Sequence, residues 1–173
     1  MKYLAKNQKP IANSQQLTAN SQKNKSKIIS MLDNLLNLVK EHAGEAIINN
    51  PAIPNEQNDA AVSTASEGIF EGLKNQLSSG GIDGIKNLFS GGDVANNPMV
   101  TNISQSVAQS IAGKFGVDSG TANNIVQSLI PTVMDKLVKK TNDPNDSSFD
   151  IGGIMNSLGG EGGIGGMIGG LFK

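Results

Sequence analysis

Few side chains in this chain can do chemistry, and their spacing decides which chemistry that would be. His42 is the only histidine. It sits three residues before Glu45 and one after Glu41. A Glu/His pair at i, i+3 on a helix serves carboxylate-bridged di-metal sites, but those need several such pairs from different helices. One pair is visible here and cysteine is absent. Zinc and di-metal chemistry are therefore not expected, and His42 reads as a solvated or boundary residue. Asp143, Asn145, Asp146, Ser147 and Asp150 offer the oxygen-bearing side chains of a calcium loop. Counted from Asp143, however, Ser148 stands where the turn needs Gly, and Ile154 where the cation needs a bidentate Glu. A helix-linking turn with Asx hydrogen bonds is the better reading. A serine nucleophile would have to borrow Asp or Lys as its base. There is no G-x-S-x-G sequence, and "SSGG", "SGGD" and "GGEGGIGG" lack the G-K-[ST] ending of a phosphate loop. No catalytic residue, cofactor or metal ligand is assigned, and the chain is not expected to be an enzyme.

Two segments invite binding readings. The stretch "SVAQSIAGKFGVDSGTANNIVQSL" (106–129) has the outline of a helix-turn-helix: Ala112 is small, Gly116 sits at the turn, and Thr121 and Ala122 enter the second helix. In a DNA reader, Lys114, Asn123, Asn124 and Gln127 would face the major groove. Lys114 is the only nearby base, so the electrostatic term that dominates DNA affinity is missing, and a packed helical corner is the stronger reading. The tail "GGEGGIGGMIGGLFK" (159–173) spaces Gly162, Gly166 and Gly170 four apart. Ile164, Ile168 and Leu171 can share one helical face. In a membrane this spacing permits close helix packing, but the tail is too short to span one and Gly weakens a helix. Self-association or an interfacial anchor is its functional reading; a flexible end is the plain one.

The elements that position these residues read as helices. Leu32, Leu35, Leu36, Val39, Ala43, Ala46 and Ile47 recur at three and four from Met31, and Asn49, Asn50, Pro51 and Pro54 end that run. A second helix over about 59–77 carries Val62, Ala65, Ile69, Leu73 and Leu77. A short segment follows at 81–92. Asn97 can cap and Pro98 fits the first position of a helix bearing Val100, Ile103, Val107, Ile111 and Phe115. Gly116 stops it. Asp118 or Ser119 caps the next helix, which runs to about Lys140 and should kink at Pro131. A last short helix carries Ile151, Ile154, Met155 and Leu158.

Residues 1–30 are rich in Asn, Gln, Ser and Lys, too polar to offset the entropy of ordering, and read as a disordered tail. Met31 as the true start, with 1–30 an upstream extension, is the alternative. A transit peptide is a third reading, against which stands the absence of Arg. All fourteen basic residues are Lys. Six precede Met31, where there is no acid. The remainder sets eight Lys against fifteen Asp and Glu, a net charge of −7. An acidic body without Arg is poorly matched to phosphate, so a nucleic-acid partner is disfavoured. No run of eighteen apolar residues and no secretory h-region are present, which fits a cytoplasmic protein.

The Leu-rich opening "MLDNLLNLVKEHAGEAI", the block "GVDSGTANNIVQSLIPTVMDKL" (116–137) and the "GG[IL]GG" tail resemble the YidB-like family, a bacterial domain of unknown function. The resemblance covers most of 31–173. It implies a multihelical fold and a bacterial source, and it implies no catalytic residues. The expected architecture is thus a single all-α domain of five to six helices over 31–158, between a disordered N-terminal tail and a Gly-rich C-terminal tail. The expected function is a protein-interaction or scaffold module, with an unidentified protein or itself as partner; the alternative is a helix-turn-helix regulator.

Overall fold

The computed structural model describes residues 11–79 and 81–146, with Phe149 and Gly152. Among these residues every regular element is helical. The five α-helices are α1 (Ile11–His42), α2 (Asn58–Ser78), α3 (Ile82–Phe89), α4 (Pro98–Phe115) and α5 (Ser119–Thr141). The expected all-α class and helix number hold.

The stripes read from the sequence form the core. Leu35, Val39, Ala65, Ile69, Leu73, Val107, Ile111, Ile130, Val133 and Met134 are fully covered. With no Trp and few aromatics, this core is aliphatic, and its stability scales with apolar area removed from water. Ile53, between two prolines, is also buried and pins the α1–α2 connection.

The helix read as opening at Met31 is longer: α1 starts twenty residues earlier, at Ile11. Composition was a sound guide to burial there, since Gln22, Ser26, Ile29 and Ser30 are exposed while Met31 opens the buried set. It was a poor guide to backbone. Once residues 31–42 are held against the core, extending the helix upstream adds one hydrogen bond per residue without a new nucleation cost. Ser26 and Ser30 hydroxyls follow this path, donating to the carbonyls of Gln22 (3.1 Å) and Ser26 (3.0 Å).

At its other end α1 widens into a π-helical turn over Gly44–Ile48. There the Ile48 and Asn49 amides donate to the carbonyls five residues back, Ala43 and Gly44, at 3.0 and 2.8 Å. Asn50 closes the turn: its amide donates to the Ala46 carbonyl (3.1 Å) and its side-chain oxygen accepts from Ala52 N–H (3.0 Å).

The α4–α5 corner is built by local chemistry. Asn97 Oδ1 accepts from Met99 N–H at 2.9 Å, with Pro98 at the first helical position. Gly116 takes the left-handed conformation, φ +67°, that a side chain resists, and closes α4 through its N–H to the Ala112 carbonyl. Asp118 caps α5, accepting from Thr121 N–H at 3.0 Å. α5 then runs unbroken through Pro131.

α2 and α4 approach closely at two glycines. A methyl placed on Gly68 would lie 2.6 Å from Val107 Cγ2, and one on Gly72 2.6 Å from Ile103 Cγ1. The final helix expected around Ile151–Leu158 and the tail at 159–173 lie outside the described residues.

Candidate functional site

The sequence-derived metal readings find no support in geometry. His42 is half-buried at the end of α1, and Glu45 belongs to the π-turn. Among the described residues, no group of three or more His, Asp or Glu side chains is arranged to hold a metal ion. In the loop after α5, Asp143 Oδ1 accepts from Asn145 N–H at 2.9 Å, an Asx turn. Asp146 pairs with Lys140 Nζ at 3.0 Å. The hydrogen bond to Asp146, reinforced by its charge, raises the Lys140 ammonium above the usual lysine range. Asp143 and Asp146 serve the turn; Ser147 and Asp150 lie outside the described residues.

A concavity lies on the helical corner. It is a cleft of about 350 Å³ between α4 and α5, lined by Gln105, Ala108, Gln109, Ala112, Ser119 and Asn123. Helical spacing creates it. Gln105, Gln109 and Ala112 recur along one face of α4, with Ala108 beside them, so the floor is methyl groups and the lip is amides. α5 supplies the opposite lip from its first turns. Gln105, Gln109, Ser119 and Asn123 are exposed, Ala112 is half-buried and Ala108 is covered. The Asn123 amide donates to the Ser119 carbonyl at 2.7 Å, which holds it along the α5 lip.

Of the four residues a DNA reader would use, the cleft takes one, Asn123. Asn124 and Gln127 are exposed on α5 outside the cleft lining. Lys114 turns to α2, where its ammonium donates to Thr64 Oγ1 at 3.4 Å and lies 3.9 Å from Glu67 Oε2. The one base within residues 94–134 is therefore directed to a helix other than the reading helix. The proposed self-association set, Gly162, Ile164, Gly166, Ile168, Gly170 and Leu171, lies outside the described residues.

The cleft belongs to a larger surface with a simple signature. From residue 94 to residue 134 the chain carries only two charges, Lys114 and Asp118. Thr101, Asn102, Ser106 and Ser110 on α4, and Asn124, Gln127, Ser128 and Thr132 on α5, are exposed around it. Asp118 is engaged as a cap, and the hydroxyl and N–H of Thr121 hold its carboxyl below the usual carboxylate range. The sequence reading passed over Gln105 and Gln109, although the charge-free run marks them without any structure. Elsewhere the body is strewn with acids. This face presents donors and acceptors in quantity with few charges.

Comparison with protein-family profiles, with curated proteins and with solved structures finds no match for this chain. Among the described residues no helix is long and apolar enough to cross a membrane.

Proposed function

We propose that the protein is a non-catalytic, cytoplasmic protein-interaction module that receives its partner in the α4–α5 cleft, and that it is a relative of the YidB-like family. The observation that carries the reading is the conjunction of an open cleft with a charge-free, amide-rich rim. Small side chains on the floor allow a partner backbone to come close, and exposed amides offer both a donor and an acceptor. A partner suited to this rim is itself neutral and hydrogen-bonding, because a charged group there would lose hydration and find no counter-charge. Ser119 and Asn123, within the block 116–137 that resembles the YidB-like family, line one side of the cleft, which supports the reading.

A DNA reader fits the same corner less well. The exposed side of α5 carries no charge between Asp118 and Asp135, and phosphate binding rests on released counterions.

Site-specific photo-crosslinking in cells tests the reading. A crosslinker at Gln109 or Asn123 is expected to give discrete protein adducts, lost when Ala112 is changed to Arg. The same group at Asn75, exposed on α2, should not give them. Identical adduct patterns at Asn75 and Gln109, or none at either cleft position, would overturn the proposal.

A further inference from the structure

The occupant of the cleft can be narrowed by asking which partner a charge-free face suits best. This step rests on the proposed cleft. We infer that the partner is a second copy of this chain, docked face to face through α4 and α5 about a two-fold axis.

In a two-fold interface the same patch appears on both sides, so residues close to the axis meet their own counterparts. A charge there meets its like. Elsewhere the helices carry exposed acids that would meet their like across such an axis. Exposed acids stand on α1 (Asp33, Glu41), on α2 (Asp59, Glu67, Glu71) and on α3 (Asp83). The outer face formed by residues 94–134 of α4 and α5 is the exception: its two charges are Lys114, 3.9 Å from Glu67, and Asp118, which caps α5.

Amides complete the case. A carboxylate accepts and an ammonium donates, so neither can pair with itself, but Gln and Asn do both. Gln105, Gln109 and Asn123 can therefore each be satisfied by the same residue type across the axis. The methyl floor of Ala108 and Ala112 leaves room for an opposing helix to settle between the lips. The size is adequate for a modest association. α4, with 18 residues, is about 27 Å long, and two helices side by side are roughly 20 Å wide. The face offers on the order of 500 Å² per copy, at the small, transient end of specific interfaces.

A dimer whose contacts are amides and methyl groups should respond little to salt. Sedimentation of the full chain, 18.0 kDa as a monomer, is expected to show dimer at protein concentrations of about 0.1–1 mM, with a dimer fraction that changes little as salt is increased. Gln109→Glu and Gln109→Lys, each at an exposed position and each checked for an unchanged helical spectrum, should both sediment as monomer. Mixing the two variants should restore a dimer, because the faces then carry opposite charges. A wild-type chain that stays monomeric throughout would overturn the second copy as occupant; cleft adducts to a different protein would then leave the cleft reading standing. A dimer that persists in Gln109→Glu, or that salt dissociates, would overturn the α4–α5 interface.

Discussion

The two faces of α4 obey opposite rules. Its inner face drives Ile103 and Val107 into the notches left by Gly72 and Gly68, so tightly that one added methyl would collide. Its outer face has space to spare: a methyl on Gly113 would meet nothing within 4 Å, and Gln105 and Gln109 stand over an open cleft. One face has its shape fixed by what the helix packs against. The other is shaped as though for something that is not part of the described chain. Residues on the first should govern stability, and residues on the second should leave it nearly unchanged.

The largest break in this contrast comes from emptying the inner face. Ile103 is 1 % exposed, and Ile103→Ala removes buried carbons from a site held on both sides by backbone helices. A loss of about 3 kcal/mol is expected, read as a lowered denaturation midpoint. A loss below about 1 kcal/mol would mean that the α2–α4 contact is looser than its geometry implies.

Glycine substitutions sharpen the contrast by changing sign between the faces. Gly68→Ala gains helix propensity but forces a methyl against the β-branched Val107, which has little freedom to turn aside. The net loss should be about 1–2 kcal/mol. Val107→Ala in the same chain makes room for that methyl, so the double variant should be less destabilised than the sum of the singles. Gly113→Ala keeps the propensity gain and meets no obstacle. It should raise stability by about 0.5–1 kcal/mol. Equal signs at the two positions would refute the asymmetry.

These pairs also show what sequence could and could not convey. Asn97, Pro98, Gly116 and Asp118 were legible because each acts on backbone within a few residues of itself. The apolar stripes were legible because helical period and burial coincide. Gly68 and Gly72 were not, although they are four apart: a reading built on apolar side chains assigns no weight to a residue whose contribution is to have none. The upstream half of α1 was misjudged because its helix depends on what lies beyond residue 31. Only Asn123, and Ala112 as a small residue, anticipated the cleft, because exposed Gln and Ser resemble any solvated helix face until a neighbouring helix gives them a common concavity.

A smaller effect separates the corner's cap from the cleft beside it. The Thr121 hydroxyl, then its N–H, holds the Asp118 carboxyl below its usual range. A carboxyl whose folded value is depressed adds stability above its unfolded value of about 3.9. That stability is lost as pH falls through the lower, folded value. Asp118→Asn keeps an acceptor but no charge, so it should melt earlier than wild type at about pH 7, and the gap should narrow at about pH 2. A gap independent of pH would show that the ionised carboxylate contributes nothing at this cap.

The smallest expected change carries the most functional weight. Gln109→Ala with Asn123→Ala strips both lips of the cleft while touching no core residue. Asn123 gives up one exposed hydrogen bond to the Ser119 carbonyl, which water can replace, and Ala is the better helix former. Stability should therefore stay within about 0.5 kcal/mol of wild type. If the outer face exists to meet a partner, the same double variant should nonetheless lose the dimer seen by sedimentation. Stability and association would then part company on one helix, as an inner face that only packs and an outer face that only binds require. A double variant that destabilises the fold by as much as Ile103→Ala would instead make the amide lips structural, and the distinction between the two faces of α4 would fail.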